Sequence, residues 1–170
     1  MATNTHLQRL DTAANTTGSS VDASNRRQVE DFLYVVPAGS GTHTLAAGSW
    51  MQLMTTASTP AKTGTDRMLY ADEAANVTNG NPLVIGVLRD EISVTMIPGA
   101  TQDVRARVIV AGYATGVKTT GGITADKALV VDTTAGTGSL AAATDLVSPC
   151  GVTIGDEAGG VADVWVLKQF

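Results

Sequence analysis

Apolar and polar residues alternate along much of this chain in short stretches with a period of two, which predicts strands rather than helices. The clearest stretch is Val104-Arg105-Ala106-Arg107-Val108-Ile109-Val110. Val104, Ala106, Val108 and Val110 fall on one face of a strand and Arg105 and Arg107 on the other, whereas a helix would scatter the arginines. Residues 92–97 alternate likewise, with Ile92, Val94 and Met96 on one side. Further strands are predicted at 29–36, within 42–54 with an interruption at Gly48, at 67–71, at the near-continuous apolar run 83–88, and at 128–131, 151–154 and 161–167. In the last of these Ala162, Val164 and Val166 face one way and Asp163, Trp165 and Leu167 the other. Pro37 with Gly39-Ser40-Gly41, Asn79-Gly80-Asn81-Pro82 and Pro98-Gly99 mark turns, and residues 55–65 read as a polar surface loop. Ala141-Ala142-Ala143 is the one helical stretch, a single turn.

Short strands between Gly-rich turns predict an all-β fold, a compact β-barrel or sandwich over residues 28–170. Residues 1–27 stand apart. They are Thr, Asn, Ser and Ala with Leu7, Leu10 and Val21 as the large apolar residues, and they end at Arg26-Arg27. So little apolar surface does not offset the entropy of ordering them. They read as an extended N-terminal arm that orders against a partner, or as a loose terminus. Fully extended, such an arm reaches roughly 90 Å at about 3.3 Å per residue. A faint internal echo links Gly86-Val87, Asp90-Glu91 and Asp103-Val104 with Gly151-Val152, Asp156-Glu157 and Asp163-Val164. Two strand-turn-strand units or chance would each account for it.

Composition narrows the class of function. The 170 residues carry 11 Lys and Arg against 16 Asp and Glu, a net charge of -5, so a phosphate-tracking surface is not expected. Only 16% of residues are charged and 18 are glycine, unlike a coiled coil. No apolar run has the length of a membrane span, and residues 1–6 lack the charged and apolar regions of a secretory signal, so a soluble protein made in a reducing cell is expected. The single cysteine, Cys150, follows Pro149 in an apolar stretch and reads as a buried, inert thiol.

Candidate chemistry is thin. His6 and His43 have no second ligand at metal-binding spacing, and the doublets Asp72-Glu73, Asp90-Glu91 and Asp156-Glu157 read as solvated turn charges. Ser40 lies between glycines without the nucleophile-elbow pattern, and His43, three residues on, reads as a turn residue beside it. No phosphate loop is present. No catalytic, metal-binding or cofactor-binding residue is therefore expected. The residues that stand out suit protein contacts: Leu7, Leu10, Arg26 and Arg27 in the arm, Arg105 and Arg107 on one strand face, and Trp50. The arginines either meet acidic groups of a partner or form an ordinary solvated face. Trp50 is either a core plug or a subunit anchor, while Trp165 reads as core.

A string of short motifs adds a family. Val108-Ile109-Val110-Ala111-Gly112 is followed by Ile123-Thr124-Ala125-Asp126, Leu129-Val130-Val131-Asp132, a turn at Gly136, Gly151-Val152-Thr153-Ile154-Gly155, Glu157-Ala158-Gly159-Gly160 and Val164-Trp165-Val166-Leu167. This order resembles the head decoration (cement) proteins of tailed bacteriophages, over a little more than the last third of the chain. The N-terminal half, with its arm and its 55–65 loop, departs from that pattern. The resemblance implies a β-barrel or β-tulip-like domain, usually a homotrimer, on the outer capsid surface at three-fold or quasi-three-fold positions. It implies the major capsid protein as partner, synthesis in the host cytoplasm, and no enzyme activity, cofactor, nucleic-acid or membrane contact. The alternative is a β-rich fibre module that binds a receptor or carbohydrate, which requires exposed aromatics on one face.

Overall fold

The structure, a computed structural model, describes residues 27–54, 69–74, 83–142 and 149–167. These form eleven strands and no helix: β1 (Arg27–Val36), β2 (Thr42–Leu45), β3 (Trp50–Leu53), β4 (Tyr70–Glu73), β5 (Val84–Leu88), β6 (Ile92–Thr95), β7 (Gln102–Lys118), β8 (Ala128–Val131), β9 (Gly138–Leu140), β10 (Gly151–Thr153) and β11 (Val161–Val166). Residues 1–26 of the expected arm lie outside the described residues, and Arg27 already belongs to β1. The loop at 55–65 and the turn at Asn79-Gly80-Asn81-Pro82 also lie outside them.

The fold is all-β and is built on a closed five-stranded barrel. Its ring runs β1-β4-β3-β5-β7 and returns to β1. Every neighbouring pair in the ring is antiparallel except β1 with β4, where Leu33 opposes Tyr70 and Tyr34 opposes Ala71 in parallel. Closure removes the unpaired edges that an open sheet would expose. A ribbon of β2 and β6 stands apart from the ring and adds Leu45 and Ile92 to the core inside it.

β7 organises the rest. It has 17 residues, far more than the seven-residue alternation that announces it. Its first half pairs with β1 and β5; its second half pairs with β11, and the sheet continues through β10, β8 and β9. This extension lies over the outside of the barrel wall, so the protein has two cores. One fills the barrel with Tyr34, Met51, Ile85, Leu88, Ala106 and Val108. The other lies between barrel wall and extension and includes Trp50, Val87, Ile109, Leu129, Val164 and Val166. All five residues of β5 are buried because this strand serves both cores. That position explains its continuous apolar run, which is the signature of a strand covered on both faces.

Most strands form where alternation places them, and the differences have physical causes. Of the strand expected at 67–71, Tyr70 and Ala71 lie in β4 and residues 67 and 68 lie outside the described residues, while β9 carries no alternation of its own. Ala141 and Ala142 are not helical, because the Ala141 amide extends the β8–β9 pairing by donating to the Ala128 carbonyl (2.9 Å). The internal echo is not a structural repeat. β10 meets β11 within the echoed residues, at Thr153 and Val164, whereas β5 meets β7 at Ile109 and Val108, beyond the echoed Val104, which pairs with Tyr34 of β1.

Backbones approach closely between β5 and β7 within the ring, and between Gly48 and the second half of β7, and glycine is required there. A Cβ at Gly86 would lie 2.0 Å from the Ile109 carbonyl oxygen, and one at Gly48 2.1 Å from the Gly116 carbonyl oxygen. Neither oxygen belongs to a side chain that could swing away. Gly86→Ala is therefore expected to cost at least about 3 kcal/mol, or to prevent folding. Gly99→Ala, where nothing lies within 4 Å of the added methyl, should cost only about 1–2 kcal/mol through its positive φ. Urea denaturation of the two variants checks this, and equal losses would contradict the close approach.

Candidate functional site

Residues directly opposite one another in adjacent strands share a face of the sheet. Across the extension this register lines up Tyr113 of β7 with Trp165 of β11, Trp165 with Val152 of β10, and Val152 with Ala128 of β8. The inward partners on these strands, Ala162, Val164, Val166 and Leu129, fill the second core. The row Tyr113-Trp165-Val152-Ala128 therefore faces away from the barrel. Ile154 and Val161 stand on the same side by alternation, and the Ile154 amide donates to the Asp163 carbonyl (2.8 Å). Among the described residues, three of the six exposed large apolar side chains lie here: Ile154 at 46%, Trp165 at 40% and Val161 at 39%. Uncovered apolar residues clustered on one face of a folded domain mark a contact surface.

Carboxylates hold the backbone around this face. β7 carries an irregularity opposite β11 between Ala162 and Val164. Asp163 spans it, accepting the Tyr113 hydroxyl (2.6 Å) and the Gly116 amide (3.3 Å). Asp156 accepts the Ala125 amide (2.8 Å), and Glu157 accepts the amides of Gly122 (2.8 Å) and Gly160. The Gly160 amide first, then that of Gly122, holds the Glu157 carboxyl below its ordinary value of 4.5. A cleft of about 290 Å³ opens beside the row, lined by Gly116, Gly155, Asp156, Ala158 and Asp163 among others.

The residues singled out by sequence fare differently. Leu7, Leu10 and Arg26 lie outside the described residues. Arg27 opens β1 opposite Gly112, one residue from Tyr113, and is half-buried. The two tryptophans exchange roles. Trp50 is fully buried in the second core and is not a surface anchor, because its indole packs against Gly138 and Gly151. Trp165, expected in the core, is exposed because its inward neighbours Val164 and Val166 take the core positions.

Arg105 and Arg107 do share an exposed face, but both find acids within the chain. Arg105 grips both carboxylate oxygens of Asp31, its Nε donating to Oδ1 (2.8 Å), and this hydrogen bonding holds the Asp31 carboxyl below its usual range. Arg107 Nε lies 2.9 Å from Asp90 Oδ2, and Arg89 Nε lies 3.6 Å from Oδ1. A cleft of about 320 Å³ follows this ladder, lined by Asp90, Glu91, Ile92, Arg105 and Arg107. Exposed pairs of this kind contribute little to stability. The acidic doublets are not merely solvated turn charges. Asp72 and Glu73 lie in β4, Asp90 is paired, and Asp156 and Glu157 hold loops.

Reactive groups are occupied. His43 lies in β2 rather than in a turn; its Nε2 is 2.9 Å from the Tyr34 hydroxyl, and the two rings stack with centroids 5.6 Å apart. Cys150 is buried, its Sγ donates to the Leu129 carbonyl (3.3 Å), and burial pushes the thiol up to about 12. Among the described residues no group of three or more His, Cys, Asp and Glu is placed to hold a metal ion, and no helix is long and apolar enough to cross a membrane. No family model matches the chain, and no curated protein matches it.

The tryptophan placements set opposite expectations. Trp50→Ala should cost about 3–5 kcal/mol by emptying the seam between the cores. Trp165→Ala should cost about 1 kcal/mol or less, the scale of a cross-strand pair. Urea midpoints of the two variants decide it, and the reverse order would refute the placement.

Titration gives a second test. Asp31 and Glu157 have folded pKa values below their ordinary 3.8 and 4.5, so their stabilisation is complete above those values and is lost as pH falls through the lower folded ones. Tyr34 is pushed up to about 12, by burial first and then by Asp72 and Glu73. Its contribution is complete below pH 10 and is lost as pH rises towards 12. Denaturation midpoints across pH should show both declines. Glu157→Gln should flatten the acid limb and Tyr34→Phe the alkaline one.

Proposed function

We propose that this chain is a structural protein of a virus particle: a capsid decoration (cement) protein on the outer surface of a tailed-bacteriophage head. In this reading a homotrimer sits at three-fold or quasi-three-fold positions and clamps adjacent capsomers of the major capsid protein against the pressure of packaged DNA. The chain is made in the host cytoplasm and acts by binding, without turnover or cofactor. The observation that carries the reading is the outward row Tyr113-Trp165-Val152-Ala128 with Ile154 and Val161, an uncovered apolar face on a closed barrel. The resemblance of the C-terminal third to decoration proteins supports the assignment to a phage head.

A clamp needs stiffness and contacts that break together. The closed barrel, with the extension packed on its wall, supplies a rigid body. Linked contacts then stabilise the shell more than each would alone, because one can re-form while its neighbours hold. Trp and Tyr at the centre of an apolar face suit such contacts, since buried aromatics carry much of the energy of protein interfaces.

One observation favours a second reading. Tyr113 and Trp165 stand side by side on one outward face, with the Asp163 carboxylate on the Tyr113 hydroxyl. A saccharide-binding fibre module would also present stacking rings beside hydrogen-bonding groups.

Adding purified protein to expanded and unexpanded shells of the source virus separates the two. Decoration predicts saturable binding near the three-fold axes, weakened at least tenfold by Trp165→Ser in a variant with an unchanged melting profile. Saturable glycan binding without shell affinity would overturn decoration in favour of the fibre module.

A further inference from the structure

We infer that the N-terminal residues 1–26 of this chain cover its own Trp165 face, with Val21 seated on the row Tyr113-Trp165-Val152-Ala128. The inference deepens the proposed function, and rests on it only for what displaces the arm.

The place where the arm joins the domain carries the argument. Residues 1–26 lie outside the described residues, and β1 begins at Arg27. Arg27 stands opposite Gly112 of β7, and the next residue of β7 is Tyr113, the first member of the outward row. Consecutive Cα atoms are about 3.8 Å apart, so the arm leaves the sheet beside Tyr113. From Tyr113 the row crosses three strand spacings to Ala128, about 14 Å at about 4.8 Å each. Val21 is the nearest large apolar residue of the arm to Arg27. The six residues between them reach about 20 Å when extended, enough to set Val21 on any member of the row. Leu10 and Leu7, further from the anchor, reach Ile154 and Val161 with chain to spare.

Tethering also selects this occupant over others. A segment anchored beside a surface meets it at an effective concentration in the millimolar range, which a separate molecule at micromolar concentration does not match. Asp156, Glu157 and Asp163 surround the face together with Lys118 and Lys127, so charge favours no particular occupant. The entropy of ordering is met from both sides of the contact. Leu7, Leu10 and Val21 alone do not offset it, but against the face they leave water together with Ile154, Trp165 and Val161. A face covered in this way does not associate indiscriminately. In the proposed clamp the major capsid protein takes the arm's place, so docking is weakened by the share of molecules in which the arm is seated.

Trp165 itself reports the cover. Trp50 is fully buried, so acrylamide in the solvent quenches Trp165 selectively. Replacing Leu7, Leu10 and Val21 together by Ser in the full chain should raise the quenching constant about twofold or more and shift emission to the red. Deleting residues 1–26 should do the same. Far-UV circular dichroism and urea midpoints check that both variants fold. A nitroxide on Ser20→Cys, selective because Cys150 is buried, should broaden the Trp165 indole N–H signal within one chain. Mixing nitroxide-bearing chains with isotope-enriched chains that lack the nitroxide should leave that signal sharp in the latter. Unchanged quenching in the serine variant, or broadening that appears only between chains, would overturn the inference. With shells of the source virus, the serine variant should bind more tightly than the wild type. Protection of Trp165 by the arm without any shell affinity would sink decoration and leave the cover standing. Shell binding by a chain whose Trp165 is quenched equally with and without the three apolar residues would do the reverse.

Discussion

Trp50 is where the two layers of the protein are joined. It belongs to the barrel wall, yet its indole lies among residues of the extension. A Cβ at Gly138 would sit 2.7 Å from its Nε1, and one at Gly151 would sit 2.9 Å from its Cη2. Both glycines are bare because the ring occupies the space. The backbone is fixed there as well, with the Trp50 amide donating to the Gly136 carbonyl (2.9 Å) and the Ala74 amide to the Trp50 carbonyl (2.8 Å). An interior packed this closely transmits force instead of yielding to it. The extension therefore moves with the barrel, and its outward face is a property of the whole domain.

The strands themselves were legible because alternation reflects burial directly. Residues 104–110 and 161–166 read correctly, since inward valines and alanines alternate there with mostly polar outward groups, and 128–131 reads as a short apolar run. β9 could not be read, because Gly138-Ser139-Leu140 takes its conformation from Leu129 across the sheet and from the ring of Trp50. The tryptophans are more instructive. Alternation already put Trp165 on the side of Asp163, opposite Ala162, Val164 and Val166, but the size and apolarity of the residue argued for the core. Nothing near Trp50 in sequence shows its slot, because that slot is made by glycines far along the chain. The outward row was equally hidden: Tyr113, Trp165, Val152 and Ala128 meet only once the register of four strands is fixed.

The scarcity of charge has a consequence for the surface. The ion pairs of Arg89, Arg105 and Arg107 engage Asp31 and Asp90, and Asp156, Glu157 and Asp163 are committed to backbone amides. Charges already engaged within the chain define loops and strand faces better than they recruit partners, since freeing them costs the bonds they make. In the proposed function, recognition then falls to shape and apolar area, and exposed apolar side chains cluster on the extension.

The 17-residue β7 also sets how load passes through the domain. A pull along β7 is shared by the barrel and the extension through its backbone hydrogen bonds to β1 and β11. Along most of its length those bonds must shear together, and they are backed by both cores. For the proposed clamp, such a continuous element serves better than a larger core, because rupture then requires many weak bonds to fail at once.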